Sequence, residues 1–256
     1  MPLEHLAVVM PAYNEADGLP GFLHEIVEQV TPLATRVSLV VVDDRSTDQT
    51  ASVLRSLENE LGGLVVVRAQ ANRGHGPTAL AAYRAGLALQ PDALVHVDGD
   101  GQFLGTDFPR LVRALELPGV DVVHGVRQHR TDPWFRRVLT GCVGFLVFLA
   151  VGRRIPDVNT PLRAYRPAAI AQLLQLVSDD ALVPHVHFSL AERRLGFTVR
   201  YVKVESIPRR GATAAGTMWG EAHTVPKLPP RRLREFSAQA IAEVWRESLR
   251  PGRGRP

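Results

Sequence analysis

Two aspartates, Asp98 and Asp100, follow the apolar run Ala93-Leu94-Val95-His96-Val97. A strand ending there delivers two carboxylates to one edge of a sheet. Gly99 and Gly101 let the backbone turn sharply and let a ligand come close. Hard oxygen ligands in that position suit Mg²⁺ or Mn²⁺ bound together with a diphosphate. Asp-Gly pairs also make plain turns, so the surrounding segments decide between the two.

Three other loops carry complementary chemistry. Pro11-Ala12-Tyr13-Asn14-Glu15 follows the apolar run Leu6–Met10, with Pro11 stiffening the loop and Tyr13 offering a ring to a nucleobase or ribose. Asp43-Asp44-Arg45-Ser46-Thr47-Asp48-Gln49-Thr50 follows Val37–Val42. A carboxylate there accepts from a base N–H or a ribose hydroxyl; Asp44 is the first choice, Asp43 reading also as a cap beside Ser46 and Asp48. Asn72-Arg73-Gly74-His75-Gly76-Pro77 leads into a helix whose free N–H groups, with Arg73, favour an anion. A base site, a ribose site, a phosphate-friendly loop and a metal site make up a nucleotide-sugar pocket. His75, His96 and His124 lack metal-ligand spacing and read as packing or loop residues.

These loops need a scaffold that brings them to one edge, and the periodicity supplies it. Strands are predicted at Leu6–Met10, Val37–Val42, Leu64–Val67 and Ala93–Val97, with helices at Gly18–Val30, from the Ser46–Asp48 cap to about Glu60, and at Thr78–Leu89. Strand and helix alternating at this spacing imply a parallel sheet with right-handed crossovers, whose ligands bind beyond the strands' carboxyl ends. Further on, Asp107–Glu116, Ala168–Val177 and Val186–Leu195 read as helices. Val120–His124 and Thr198–Val204 read as strands, and Pro156–Tyr165 as irregular. Arg127–Arg137 is a polar, arginine-rich loop, Val138–Val151 is apolar apart from Thr140, and Arg231–Leu249 is a basic amphipathic helix.

Composition bounds the class. The 256 residues, 45% of them hydrophobic, suit one large domain with appendages. The single cysteine, Cys142, excludes an internal disulfide framework and fits a reducing compartment. The first apolar run reads as a strand, so no signal peptide is expected. The net charge of +4 sits in the tail: from Lys227 onward eight Lys or Arg face three Glu, which leaves about −1 for the rest.

With these motifs in order, the chain resembles the family 2 glycosyltransferases of GT-A fold, especially the polyprenyl-phosphate (dolichyl-phosphate) mannosyl- and glucosyltransferase branch. The matching segments are P-A-Y-N-E at 11–15, D-D-x-S-x-D-x-T at 43–50, N-x-G-x-G at 72–76 and D-x-D-G-Q at 98–102, within a resemblance over roughly 5–215. It implies an α/β fold, a Rossmann-like, mostly parallel sheet flanked by helices, as a domain over 1–226, with a C-terminal amphipathic helix and tail over 227–256. It implies donor-nucleotide contacts from Pro11, Ala12, Tyr13, Glu15, Val42, Asp44 and Arg73. Asp98, Asp100 and Gln102 would hold Mg²⁺ or Mn²⁺ and the donor diphosphate. Arg127, Arg136, Arg163 and Arg209 would meet acceptor or phosphate groups, and Asp157 would join Asp98, Asp100, Arg127 and Arg136 in the catalytic set.

The chain departs from that family on the acceptor side. Where members commonly read Asp-x-x-Ser-Gly-Phe-Arg, it reads Asp157-Val158-Asn159-Thr160-Pro161-Leu162-Arg163. The usual Arg-x-x-Gly-x-Ser-Lys appears only as Pro208-Arg209-Arg210-Gly211-Ala212-Thr213, so either Arg209 or Arg210 could take the phosphate. His185-Val186-His187 stands where an acidic residue is often found. A phosphate acceptor is already anionic and needs no strong base, which fits that gap. The expectation is therefore inverting transfer from a nucleotide-sugar donor to a polyprenyl phosphate. A saccharide hydroxyl acceptor would instead need a base from Asp157, His185 or His187.

Val138–Val151, at fourteen residues, falls short of the roughly 20 that span a bilayer. It is either a buried helix or an apolar stretch dipping between Arg136-Arg137 and Arg153-Arg154. The tail helix, with Leu233, Phe236, Ile241, Val244 and Leu249 on one side, suits an interfacial, docked or dimerising role. The expectation is a cytoplasmic protein, peripheral on the cytoplasmic membrane face. Rival readings are a nucleotidyltransferase, which wants a glycine-rich basic loop where Pro11–Glu15 stands, and a non-catalytic nucleotide-sugar binder. Nucleic-acid binding rests on the arginine tail alone and is not expected.

Overall fold

A computed structural model describes residues 3–128, 141, 144, 145, 147, 148, 152, 154–211 and 231–249. Its centre is a seven-stranded sheet of β1 (Leu3–Ala12), β2 (Ala34–Asp43), β3 (Leu64–Arg68), β4 (Ala93–His96), β5 (Val122–Gln128), β6 (Arg163–Tyr165) and β7 (Val199–Glu205). The spatial order is β3-β2-β1-β4-β6-β5-β7. The first four strands are parallel, as predicted. β6, which falls inside the stretch predicted to be irregular, runs antiparallel between β4 and β5 and makes the sheet mixed. β5 begins two residues later and runs four residues further than expected, so Arg127 lies on a strand and not in a loop.

Helices α1 (Leu19–Val30), α2 (Thr50–Glu60), α3 (His75–Ala88), α4 (Asp107–Leu115), α5 (Pro167–Leu176) and α6 (Pro184–Arg194) cover the sheet. Alternation along the strands sorts the core into two layers. Leu6, Val8 and Met10 of β1, with Leu39 and Val41 of β2, pack with Phe22, Leu23 and Ile26 of α1 and Phe108 and Leu111 of α4. Ala7, Val9, Val40 and Val42 point the other way, to Leu80 and Tyr83 of α3, Ile170 and Leu173 of α5, and Phe188 of α6. Both faces of β1 are buried from Leu6 onward, which explains its unbroken apolar run.

The second layer is unusual in being polar at its centre. Cross-strand register aligns His96 with Arg163, Arg163 with His124, and His124 with Tyr201. Tyr83 stacks on His96 with ring centroids 4.5 Å apart.

The C-terminal helix, α7 (Arg231–Val244), continues as a wider π-type turn over Trp245–Leu249. It is docked on its own chain: Val244 shares an apolar cluster with Val147, Ile155, Val158 and, from α6, Val186 and Leu190. Glu243 accepts from the Leu182 N–H at 3.0 Å and pairs with His187 Nε2 at 2.9 Å, holding α6 by its first turn. The predicted apolar stripe divides. Leu233 and Val244 are buried, but Ile241 is exposed, as is Trp245 outside the stripe.

Candidate active site

The loops after β1, β2, β3 and β4 do meet at one edge, and hydrogen bonds between them fix their shape. The Asn14 N–H donates to Ser46 Oγ at 3.0 Å and the Glu15 N–H to Thr50 Oγ1 at 2.8 Å. Asn14 itself has a φ of 56°. Pro11 and Ala12 are buried in the strand end, and Tyr13 is partly exposed beside them. Val42 is buried in the layer under β2.

The two aspartates after β2 have different partners. Asp44, 3% exposed, accepts from the N–H groups of Arg73 and Gly74, both at 2.9 Å, one on each carboxylate oxygen. It thus fastens the loop before α3 to the loop after β2. Asp43 caps the Ser46 N–H through Oδ1 at 2.9 Å. Its buried Oδ2 has no hydrogen-bond partner and stands 3.4 Å from Arg68 Nε. Asp43 Oδ2 is thus the oxygen at this strand end without a hydrogen bond, while each oxygen of Asp44, the first choice from sequence, already accepts one backbone N–H. The Arg73 side chain turns outward to Asp180 at 2.5 Å.

At the end of β4 the turn is held from below. A Cβ on Gly99 would stand 2.8 Å from the Pro11 carbonyl, and Gly101 has a φ of 66°. Arg210 donates from its backbone N–H to the Asp100 carbonyl at 3.1 Å and from Nε to the Gly101 carbonyl at 3.0 Å. It also pairs with Glu25 at 2.5 Å. Arg210 is therefore a clamp on the turn. Arg209 is the one that faces the carboxylates, bound to Glu15 at 2.5 and 3.2 Å.

The electrostatics of this edge call for a cation. Asp98 Oδ1 is buried without a hydrogen-bond partner. Burial and the neighbouring Asp98 charge raise the Asp100 carboxyl to about 6, although the Gln102 N–H donates to it at 3.2 Å. Glu15 rises to about 7, mainly by burial, against the pull of Arg209 and with the charges of Asp100 and Asp98 adding to it. Crowded carboxylates that resist ionising alone are stabilised when a divalent ion joins them. The oxygen-rich donor set fits Mg²⁺ or Mn²⁺. His75, expected only to pack or line a loop, places Nε2 3.4 Å from Asp98 Oδ1. Its place in the N-x-G-x-G segment after β3 was the sequence signal for that proximity.

The acceptor-side residues separate into two groups. Arg127 grips Asp157 with two bonds, Nε to Oδ2 at 2.8 Å and Nη2 to Oδ1 at 2.9 Å, and reaches the Asn159 carbonyl at 3.4 Å. Arg163, expected at the acceptor phosphate, is instead wholly buried. Its guanidinium donates to the carbonyls of Val158 at 2.7 Å and Thr160 at 2.8 Å, to Ser189 Oγ at 3.0 Å, and pairs with Glu192. Enclosed in this way it cannot reach a phosphate in the cleft; it braces the loop that carries Asp157. His96 Nδ1 adds a 2.8 Å bond to the Pro161 carbonyl of the same loop. His185 and His187, the alternative bases, are buried and bound to Tyr83 and Glu243 respectively. Arg136 lies outside the described residues, as do Arg137 and Arg153.

Residues 7–174 match the profile of glycosyl transferase family 2. The chain belongs to that family. Among family relatives, the undecaprenyl-phosphate 4-deoxy-4-formamido-L-arabinose transferase of Edwardsiella ictaluri is 31% identical over 204 residues, 79% of this chain. The protein of the same description from Serratia proteamaculans is 30% identical over 205 residues, 80% of this chain. The chain spans 62% of the length of each. The fold is shared with a Pyrobaculum calidifontis mannosyltransferase in complex with GDP-Man and Mn²⁺ (TM-score 0.65, 22% identity, 100% of this chain and 67% of that one). It is shared too with glucosyl-3-phosphoglycerate synthase of Mycobacterium tuberculosis in complex with Mn²⁺, UDP and glucosyl-3-phosphoglycerate (TM-score 0.64, 18% identity, 97% of this chain and 82% of that one). For this family 2 chain the GT-A expectation therefore holds, as a mixed α/β sheet flanked by helices with a C-terminal helix docked beside it.

Proposed function

We propose that this chain is an inverting glycosyltransferase that moves a sugar from a nucleotide-sugar donor to a polyprenyl phosphate. The donor half rests on the four strand-end loops: Tyr13 with Asp43 and Asp44 for the nucleoside, the start of α3 with Arg209 for phosphate charge, and Asp98 and Asp100, with Gln102 beside them, for the divalent cation. Bound there, Mg²⁺ or Mn²⁺ would neutralise charge growing on the departing diphosphate. Family relatives described as undecaprenyl-phosphate transferases, and fold neighbours solved with Mn²⁺ and nucleotides, support the same reading.

The observation that carries the acceptor half is an apolar cavity of about 460 Å³. It is lined by Phe145, Phe148, Ile155, Pro156 and Val158, with Arg154 at its wall. An arginine, Arg154, at the wall of an apolar cavity is what a lipid phosphate requires: charge for the head, greasy volume for the first isoprene units. In the reaction an acceptor phosphate oxygen forms the bond to the anomeric carbon as the bond to the donor diphosphate breaks. The nucleoside diphosphate leaves with that electron pair, and no proton need be taken from the acceptor.

Exposed apolar and basic side chains suit a membrane surface. No helix among the described residues is long and apolar enough to cross a bilayer. Phe145, Phe148, Ile241 and Trp245 are exposed, and Arg231, Arg232, Arg234 and Arg246 are exposed on α7 and its extension. We place the protein peripherally on the cytoplasmic leaflet, whose anionic lipids attract such arginines. The test incubates purified protein, Mn²⁺ and a panel of nucleotide sugars with a short polyprenyl phosphate in anionic vesicles. Released nucleotide and glycolipid should appear for one donor, Asp100→Ala should abolish both, and the vesicles should carry the protein on flotation. Glycosylation of a free saccharide with none of the lipid phosphate would overturn the acceptor assignment.

A further inference from the structure

We propose that His75 is a ligand of the divalent cation, sharing it with Asp98 through Nε2, and that this nitrogen makes the site prefer Mn²⁺ over Mg²⁺. The inference rests on the reading of Asp98 and Asp100 as the cation site and adds to Asp98 a nitrogen donor from a different loop.

Three features of the fold converge on His75. The first is distance and want of a partner: Nε2 stands 3.4 Å from Asp98 Oδ1, and that oxygen is buried without a hydrogen bond. Two donor atoms bound to one ion at about 2.1 Å each lie roughly 3 to 3.5 Å apart, so the pair is spaced for a shared ion as it stands.

The second is rigidity. On one side of His75 the carboxylate of Asp44 holds the N–H groups of Arg73 and Gly74 at 2.9 Å. On the other, Gly76 is pressed so closely to the 178–183 segment that a Cβ would stand 2.1 Å from the Ala181 carbonyl. The backbone that carries the imidazole is fixed at both ends, as a preorganised ligand requires. The third is access. The His75 side chain is 55% exposed, unlike His96, His124 and His185, which are enclosed in the core.

Chemistry then gives the preference. Mg²⁺ strongly favours oxygen, whereas Mn²⁺ accepts an imidazole nitrogen alongside carboxylates. Among the described residues no three His, Cys, Asp or Glu side chains form a ready-made cage. The ion would take its remaining positions from diphosphate oxygens and water.

The competing account is a simple His–Asp ion pair, and it makes different predictions. The full chain is titrated with Mn²⁺ and with Mg²⁺, each alone and with inorganic pyrophosphate, and Mn²⁺ is examined by electron spin-echo spectroscopy for directly bound ¹⁴N. Wild type should show the nitrogen signal and His75→Ala should lose it. In that variant Mn²⁺ should bind at least about tenfold more weakly, the loss that even outer partners of metal ligands produce, with Mg²⁺ affinity within about threefold of wild type. Circular dichroism and thermal unfolding confirm that the variant is folded, and His75→Gln provides a second, more conservative test. No nitrogen signal in wild type, a signal that survives in His75→Ala, or equal weakening of both metals overturns the proposal. If wild type binds no Mn²⁺, or Asp98→Ala binds it as well as wild type, the cation site itself is refuted and the proposal falls with it. Retained binding lost in Asp98→Ala but not in His75→Ala would refute His75 alone.

Discussion

Asp43 and Asp44 are neighbours of one type, yet the structure gives them opposite work, and substitution should separate it. Asp44 spends both oxygens on the backbone N–H groups of Arg73 and Gly74. Asn at this position offers one acceptor and turns an N–H₂ toward an N–H. Hydrogen bonds to charged groups are worth about 1.5–3 kcal/mol each, so Asp44→Asn should lower unfolding free energy by roughly 2 kcal/mol. It should also weaken nucleotide and metal binding together, because the loop it fastens carries His75. Asp43 keeps its Ser46 cap in Asp43→Asn and loses only the spare oxygen and a half-exposed contact to Arg68, which contributes little. Urea unfolding of Asp43→Asn should be within about 0.5–1 kcal/mol of wild type, while nucleotide affinity falls by about tenfold. Equal losses of stability in the two variants would show that the hydrogen-bond assignment is wrong.

Among the elements, those set by periodicity were legible in the sequence. Leu6–Met10, Val37–Val42, Leu64–Val67 and the helices between them were placed within a few residues, because long apolar runs and caps report burial directly. The four loops that end these strands were legible for the same reason. β6 was not: three residues, Arg163-Ala164-Tyr165, carry no alternation, and a strand headed by arginine looks solvent-facing. Only its neighbours make it buried, since Glu192, Ser189 and His124 arrive from distant parts of the chain. The same blindness put Arg163 in the acceptor pocket, and kept His75 from being joined to Asp98, 23 positions on. The brace is testable. Arg163→Met would leave Glu192 buried with only His124 and Tyr165 as partners, and breaking a buried pair costs on the order of 3–5 kcal/mol. We expect a loss of that size in urea unfolding, partly recovered by adding Glu192→Gln, which removes the stranded charge. A loss below about 1 kcal/mol would mean that the guanidinium is not enclosed as described.

Across the whole molecule, the polar row inside the second layer and the carboxylates at its edge pull stability in opposite directions as pH changes. Burial holds His96 down to about 4, with Asp98 opposing. It also takes His185 well below its ordinary value, with His96 and Arg163 adding to the effect. His124 is lowered as well, by burial and Arg163 against the pull of Glu192. Below about pH 6.5 the unfolded chain takes up protons on these imidazoles that the folded chain refuses. Each therefore removes stability as pH falls, His96 by up to about 1.4 kcal/mol per pH unit until pH nears 4. Glu15 at about 7 and Asp100 at about 6 work the other way: folded, they accept protons before the unfolded carboxylates do, and so add stability over the same fall. Three imidazoles against two carboxylates leave a net loss of stability as pH falls below 6 in the metal-free protein. A divalent cation held by Asp98 and Asp100 keeps Asp100 ionised and removes one of the two opposing groups. Protons then also compete the cation off, so acid loss should steepen. The melting temperature should therefore fall modestly from pH 6.5 to 5 without metal and more steeply with saturating Mn²⁺, the two curves converging at the acid end. His185→Gln should flatten the metal-free slope. A melting temperature that climbs steadily down to pH 5 without metal would show that the carboxylates, not the buried imidazoles, govern the acid limb.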